Sequence, residues 1–134
     1  MNEYKIMIVD DEPDILNLLE NALKIEGFHK IIKADNGNSA VNTCKETNPD
    51  VIILDVMLPD IDGYEVCKQI RQFSHCPILF LSSKNDEVDK ILGLAVGGDD
   101  YVTKPFSPKE VAFRVKAQLR RAEYRQIPER PHAI

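Results

Sequence analysis

Short runs of consecutive apolar residues alternate along the chain with segments in which apolar residues recur every three or four positions. The first run covers residues 5–9 and is rich in β-branched residues, as is typical of a strand. Helical spacing follows at Ile15, Leu18, Leu19, Ala22 and Leu23. This spacing predicts an amphipathic helix with one buried face, which Gly27 ends.

The same alternation continues to residue 121. Further apolar runs cover residues 29–34, 51–54, 78–81 and 101–103. Helical spacing follows each run, with apolar residues at Ala40, Val41 and Cys44, at Val66, Cys67 and Ile70, at Val88, Ile91, Leu92 and Ala95, and at Val111, Val115 and Leu119. Ser107, Pro108 and Glu110 form the capping pattern that begins the last helix.

Five strand–helix units whose strands are apolar throughout predict a parallel sheet covered by helices on both faces. We therefore predict an α/β fold of the flavodoxin-like, doubly wound type, with five parallel strands in the order 2-1-3-4-5. The periodicity is lost from Ala122 onward. We expect residues 1–121 to form one domain and residues 122–134 to be a linker or a disordered tail.

Composition and charge exclude several classes of protein. A chain of 134 residues suits one domain, and no apolar run approaches the roughly 20 residues that span a bilayer. The net charge of −5 argues against a basic face that binds nucleic acid. Three scattered cysteines, Cys44, Cys67 and Cys76, fit reduced thiols better than a disulfide framework. We expect a cytoplasmic protein that makes no membrane contact.

Polar residues stand where the predicted strands end. The first strand leads to Asp10 and Asp11, the third to Asp55, the fourth to Ser82 and the fifth to Lys104. Ligand sites of parallel α/β sheets lie at the carboxyl ends of the strands, near the reversal of strand order. We therefore expect three carboxylates, a hydroxyl and an ammonium group to meet at one edge of the sheet.

Three neighbouring carboxylates repel one another, and a hard divalent cation relieves that repulsion. Magnesium prefers such oxygen ligands, and with it in place a carboxylate can accept a phosphoryl group as an aspartyl-phosphate. Each residue taken alone also has an ordinary explanation, since acids favour helix N-termini and a loop lysine is commonly a solvated surface residue. The conjunction at successive strand ends favours the phosphoryl-transfer site.

Four motifs carrying these residues together resemble the receiver domain of bacterial two-component response regulators. They are IVDDE at residues 8–12, ILDVMLP with a following Asp-Gly at residues 53–63, PILFLS at residues 77–82 and DDYVTKPF at residues 99–106. The resemblance extends from residue 4 to about residue 121. It implies a regulatory domain, not an enzyme, in which Asp55 accepts a phosphoryl group from the phosphohistidine of a sensor histidine kinase.

The resemblance also implies a magnesium site, formed by Asp11, Asp55 and the backbone carbonyl of Met57, with Asp10 contributing through water. Ser82 and Tyr101 would be the switch hydroxyl and the switch aromatic residue. Lys104 would contact the phosphoryl group.

The segment from Lys90 to Arg121 is similar to the OmpR/PhoB-type transcriptional regulators. In that subfamily the fourth helix, fifth strand and fifth helix form a symmetric dimer face, which phosphorylation favours. The matching positions here are Lys90, Asp99, Asp100, Glu110, Arg114 and Arg121. An ordinary solvated face is the alternative, because isolated surface ion pairs contribute little. Gly98 stands where the subfamily usually has alanine, so we expect a looser turn before Asp99.

Regulators of this subfamily act on DNA through a winged-helix domain that follows the receiver and is absent from this chain. The alternatives are a stand-alone signalling receiver without DNA output, a phosphatase of the haloacid-dehalogenase type, and a flavin or nucleotide carrier. The phosphatase needs a second acid where this chain has Met57. The carrier needs a phosphate-binding nest where this chain has the acidic turn at residues 10–14.

Overall fold

The structure is a computed structural model that describes residues 3–83 and 87–126. Strands and helices alternate through these residues. They are β1 Lys5–Val9, α1 Pro13–Ile25, β2 Lys30–Ala34, α2 Gly37–Thr47, β3 Val51–Asp55, α3 Gly63–Ile70, β4 Ile78–Ser82, α4 Glu87–Ala95, β5 Asp100–Thr103 and α5 Pro108–Gln126. None of the helices within the described ranges has both the length and the apolar character needed to cross a bilayer.

The strands form one parallel sheet in the order β2-β1-β3-β4-β5. Alternate residues of each strand face opposite sides, so that Ile52 and Leu54 pack with α2 and α3 while Val51 and Ile53 pack with α1 and α5. The central strands β3 and β4 are buried at every position because helices cover both faces. The predicted doubly wound fold and its strand order are confirmed.

The last helix is longer than the sequence pattern indicated. Helix α5 begins where predicted, with the amide of Glu110 donating to the Ser107 side chain at 3.3 Å, but it continues to Gln126. Its final turns contact other parts of the domain. The Tyr4 hydroxyl donates to Glu123, and Arg125 lies 3.9 Å from Asp99. Residues 122–126 of the predicted linker or tail thus continue the helix. The proposed linker or tail at residues 127–134 lies outside the described residues.

The apolar residues of α4 do not face the core. Val88, Ile91, Leu92 and Leu94 are between 44% and 74% exposed, whereas Gly93 is buried against the sheet. The sequence pattern predicted the helix correctly, yet its apolar side chains lie largely in solvent. An exposed cluster of this kind marks a surface available for contact with another molecule.

Candidate functional site

The carboxyl ends of four strands bring the sequence-predicted residues together. Asp55 is the last residue of β3 and Ser82 the last of β4, while Asp10 and Lys104 directly follow β1 and β5. Parallel register sets these ends side by side, since Asp55 pairs with Leu81 of the next strand. Residues separated by up to 94 positions in sequence therefore meet at one edge of the sheet.

Three carboxylates form the acidic part of this site. One carboxylate oxygen from each of Asp10, Asp11 and Asp55 lies within 4.8 Å of the others. Asp10 and Asp55 are fully or almost fully buried, whereas Asp11 is exposed. The cluster thus consists of two buried carboxylates and one exposed carboxylate, and it is open to solvent on the side of Asp11.

Lys104 provides the positive charge at the site. Its Nζ atom lies 3.5 Å from Oδ2 of Asp10 and 3.4 Å from Oδ2 of Asp55. The other oxygens of the two carboxylates accept backbone hydrogen bonds, from the amide of Glu12 at 2.9 Å and from the amide of Met57 at 3.2 Å. One ammonium group between two buried carboxylates leaves a net negative charge.

The pKa values reflect this imbalance. Burial, together with the charge of Asp10, raises the pKa of Asp55 to about 6, although Lys104 opposes the shift. Burial also raises the pKa of Asp10. Burial opposes the charged form of Lys104, but the charges of Asp55 and Asp10 prevail and raise its pKa.

The residues present fit a hard divalent cation. Three carboxylates converge. Burial penalises the charges of Asp10 and Asp55, and the charge of Asp10 adds to the penalty at Asp55. Oxygen atoms are the ligands that such cations prefer. Met57 is 55% exposed and follows Asp55 by two residues, so its backbone lies beside the cluster. Among the described residues, no other group of three acidic, histidine or cysteine side chains has this geometry.

Gly63 explains why the Asp-Gly pair belongs to the site. A Cβ atom at Gly63 would lie 2.4 Å from the backbone oxygen of Asp55, and the Gly63 amide donates to the carbonyl of Val56 at 2.8 Å. Asp62 caps α3 by accepting from the amide of Glu65. The start of α3 is thereby packed directly against the backbone that carries Asp55.

Ser82 and Tyr101, the two predicted switch residues, lie on the neighbouring strands β4 and β5. Ser82 is fully buried at the end of β4, next to Thr103 in the sheet register. Tyr101 is half-buried on β5, and its ring centroid lies 6.1 Å from that of Phe80. The peptide bond between Lys104 and Pro105 is cis.

Tyr101 contacts Tyr64, a residue that the sequence pattern did not single out. The hydroxyl groups of Tyr64 and Tyr101 are 3.2 Å apart, and the Tyr64 hydroxyl also donates to the carbonyl of Asp89 in α4 at 3.2 Å. The rings of Tyr64 and Phe80 meet edge to face at 5.2 Å. Since these contacts join residues up to 37 positions apart, no local pattern indicates them.

The six residues assigned to the dimer face have different surroundings. Arg114 bonds both oxygens of Asp100, at 2.8 and 3.0 Å, and also pairs with Glu110. Lys90 and Arg121 are exposed. Asp99 is largely turned inward, because its Oδ2 atom accepts from Arg71 at 3.0 Å and from the amide of Ile78 at 2.9 Å.

Arg71 is a second residue that the sequence pattern did not single out. Its guanidinium group donates to the carbonyls of Gly97, Ser74 and Cys76 in addition to the carboxylate of Asp99. A lysine could not make these bonds, since the planar group supplies several donors at fixed angles. Arg71 therefore connects the end of α3 to the segments that enter β4 and β5.

Comparison with known proteins agrees with this architecture. The sequence family described as the response regulator receiver domain matches residues 6–116. The alkaline phosphatase synthesis transcriptional regulatory protein PhoP of Bacillus subtilis (strain 168) is 53% identical over 120 residues, which are 89% of this chain and 50% of that protein. The chain therefore spans about half the length of this curated relative.

Solved structures lead to the same family. DrrB of Thermotoga maritima, an OmpR/PhoB homolog, is similar with a TM-score of 0.81 and 35% identity over 89% of this chain and 54% of that chain. The BeF3-activated receiver domain of Klebsiella pneumoniae RstA has a TM-score of 0.81 and 30% identity over 87% of this chain and 98% of that one. The chain thus belongs to the response regulator receiver domain family, and within it to the OmpR/PhoB type.

Proposed function

We propose that this domain receives a phosphoryl group on Asp55 from the phosphohistidine of a sensor histidine kinase. The observation that carries the proposal is the meeting of Asp10, Asp11 and Asp55 within 4.8 Å, beside the ammonium group of Lys104. The carboxylate cluster lies at the carboxyl edge of the sheet, where a partner protein can present the phosphoryl group. Membership of the receiver family supports the same role.

Each residue of the site has a task in this reaction. Asp55 is the nucleophile, and its backbone hydrogen bond from Met57 orients one carboxylate oxygen. Lys104 is placed to stabilise negative charge on the transferred group, because it already lies 3.4 Å from Asp55. Ser82, buried on the neighbouring strand, supplies the hydroxyl that bonds the phosphorylated product.

Asp10, Asp11, Asp55 and the backbone carbonyl of Met57 would hold the magnesium ion. When bound, magnesium would neutralise the carboxylates and stabilise charge on the phosphoryl oxygens. The pKa of Asp55, raised to about 6 by burial and by the charge of Asp10, supports this assignment because a bound cation would offset both effects.

Phosphorylation of Asp55 would act on the surface through Ser82 and Tyr101. Tyr101 is connected to α4 through Tyr64, whose hydroxyl contacts both Tyr101 and the carbonyl of Asp89. A rearrangement at Ser82 and Tyr101 would thus change the position of α4 on the sheet. We expect it to favour a dimer through α4, β5 and α5, as a shift between two existing states.

The proposed output is control of transcription in the cytoplasm through a winged-helix DNA-binding domain. The relative that is 53% identical is named a transcriptional regulatory protein, and the chain covers half of its length. A stand-alone receiver would share the phosphorylation chemistry and would differ in having no such domain.

Incubation with acetyl phosphate and magnesium tests the assignment of Asp55. The wild-type domain should gain the mass of one phosphoryl group, and the Asp55→Ala variant should gain none. Intact mass spectrometry gives the readout, and omission of magnesium should abolish labelling of the wild type. Asp62→Ala is the matched control, because Asp62 is a nearby acid whose carboxylate caps α3. Equal labelling of wild type and Asp55→Ala would refute the proposal.

A further inference from the structure

The loop between β3 and α3, residues 56–62, is bound at its far end to the first turn of α2. The carboxylate of Asp60 accepts two backbone hydrogen bonds there, from the amide of Gly37 at 2.7 Å and from the amide of Asn38 at 2.8 Å. These are the first two amides of α2, and amides at that position have no acceptor within a helix. A side chain of the β3–α3 loop, more than 20 positions further along the chain, therefore supplies the acceptors for both.

The charge of Asp60 suits this position. A carboxylate is favoured at the positive end of a helix dipole, and the first turn of α2 contains no acidic residue of its own. Hydrogen bonds from Asn38 and Gly37 lower the pKa of Asp60 to about 2, so that its carboxylate is ionised at neutral pH. The next amide of the helix, that of Ser39, donates to the side chain of Asn36 at 2.8 Å. Helix α2 thus has two caps, one from Asn36 and one from the β3–α3 loop.

The residue after Asp60 packs against the same turn. A Cβ atom at Gly37 would lie 2.5 Å from Cγ1 of Ile61, so the absence of a side chain at Gly37 makes room for Ile61. Gly37 is buried, and Ile61 packs against the core cluster that includes Ala40 and Val41 of α2. The contact between the β3–α3 loop and α2 therefore has a polar part at Asp60 and an apolar part at Ile61.

The other end of the β3–α3 loop is fixed at the carboxylate site. The amide of Val56 donates to the carbonyl of Leu81 at 3.0 Å, and the amide of Met57 donates to Oδ1 of Asp55 at 3.2 Å. Only two residues separate Met57 from Asp60. The backbone carbonyl of Met57, a predicted magnesium ligand, thus lies between two points of attachment, one on the sheet and one on α2.

We propose that Asp60 is a positioning residue of the magnesium site, which fixes the backbone carbonyl of Met57 by binding the β3–α3 loop to α2. The inference rests on the proposed function, since it concerns the site at which Asp55 would be phosphorylated. Asp60 acts through the backbone and not as a ligand, because amides of α2 engage both of its carboxylate oxygens. A ligand that is held in place before the ion arrives binds it more tightly, since less conformational freedom is lost on binding.

The alternative is that Asp60 only stabilises α2, and two neighbouring residues separate these roles. Asn36 caps the same helix but does not belong to the β3–α3 loop, so Asn36→Ala weakens the start of α2 and leaves the loop attached. Asp35 is an exposed acid at the same corner, and its carboxylate accepts from the Asn36 side chain at 2.9 Å. Asp35→Ala therefore removes the same charge as Asp60→Ala without detaching the loop.

Calorimetric titration with magnesium measures the first effect. Asp60→Ala should bind magnesium about tenfold more weakly than wild type, whereas Asn36→Ala and Asp35→Ala should stay within about twofold of it. Asp60→Asn retains one acceptor oxygen, so its affinity should lie between those of Asp60→Ala and wild type.

Amide hydrogen exchange, followed by NMR with a chelator present, measures the loop without any metal. In Asp60→Ala the amides of Gly37 and Asn38 should exchange faster because they have lost their acceptor. The Met57 amide should also exchange at least about tenfold faster, because the β3–α3 loop is released from α2. Asn36→Ala should accelerate exchange at Ser39 and leave Met57 unchanged.

The proposal is overturned if Asp60→Ala binds magnesium as tightly as wild type, or if Asn36→Ala weakens binding equally, since Asp60 would then act only through the stability of α2. If Asp60→Ala does not fold, the affinity of Asp60→Asn decides, and a value equal to that of wild type refutes the proposal. A wild-type domain that takes up no magnesium would refute the proposed function and this proposal together. Uptake by wild type that Asp60→Ala does not weaken would refute this proposal alone.

Discussion

At the scale of single residues, the proposed phosphoacceptor Asp55 is a carboxylate held where its charge is unfavourable. It is 2% exposed, lies beside Asp10, and has a pKa of about 6. Such a site binds a cation more readily than a solvated carboxylate would, because a bound cation offsets both the burial of the charge and the repulsion from Asp10. The same feature makes the cation-free domain less stable than it would be without this charge.

This penalty gives a pH dependence with a definite sign. The folded pKa of Asp55 lies above its ordinary value of 3.8, so that between about pH 4 and pH 6 the folded state binds more protons than the unfolded state. The free energy of unfolding of the cation-free domain should therefore fall as the pH rises through this window. Asp55→Asn should be more stable than wild type by roughly 2 to 3 kcal/mol at neutral pH, with the difference vanishing below about pH 4.

Urea unfolding with a chelator present, repeated across this pH range, measures the difference. Asp11→Asn is the matched control, because it removes one charge from the same cluster at an exposed position and should be much less stabilising. Added magnesium should reduce the difference by stabilising the wild-type cluster. A wild-type domain as stable as Asp55→Asn at neutral pH in chelator would contradict the expected penalty.

At the scale of elements, the corner formed by β4, α4 and β5 is organised around Phe80. Its ring contacts Tyr64 and Tyr101, and two glycines approach it closely. A Cβ atom at Gly98 would lie 2.4 Å from Phe80, and one at Gly93 would lie 3.3 Å from it. We expected Gly98 to loosen the turn before Asp99. The structure gives it a packing role instead, because the absence of a side chain admits the ring.

Gly98→Ala should therefore destabilise the domain, although alanine is the usual residue of the subfamily at this position. We expect a loss of about 1 to 3 kcal/mol in the free energy of unfolding, because the fully buried ring has no space into which it can move. In a Phe80→Leu background the same substitution should cost clearly less. Chemical denaturation of the wild type, the two single variants and the double variant in a double-mutant cycle measures the coupling. An unchanged cost in both backgrounds would show that Phe80 is not the cause.

At the scale of the whole molecule, the surface of α4, β5 and α5 combines exposed apolar residues with charged groups. Val88 and Ile91 of α4 are 74% and 63% exposed, and Arg114 of α5 forms a network with Asp100 of β5 and Glu110. An interface needs both features, since apolar contact supplies affinity and charged groups supply orientation. This combination supports the proposed two-fold dimer.

Arg114→Ala tests the dimer at this face. With beryllofluoride and magnesium, wild type should sediment as a dimer, and the variant should dimerise at least about tenfold more weakly because Asp100 and Glu110 lose their common partner. Arg120→Ala is the matched control, since Arg120 is an exposed arginine of the same helix that lies outside the predicted set. Equal weakening by both substitutions, or by neither, would argue against the predicted face. Thermal unfolding verifies that both variants are folded.

Much of the fold and of the candidate site can be predicted from local patterns in the sequence. Continuous apolar strands separated by amphipathic helices require a covered parallel sheet, and the sheet brings Asp10, Asp55 and Lys104 to one edge whatever the details of packing. The motifs around these residues also indicate the receiver family. Both inferences succeed because the spacing of apolar residues and the identity of the residue that follows each strand are local features of the sequence.

Other features were decided only by the tertiary structure. The spacing of apolar residues in α4 predicts a helix, but only packing shows that Ile91 faces solvent. The contacts of Tyr64 with Tyr101 and of Arg71 with Asp99 join residues 37 and 28 positions apart. A local pattern specifies which side of an element is apolar or polar. What covers that side depends on how distant elements pack, and this is settled only when the whole chain has folded.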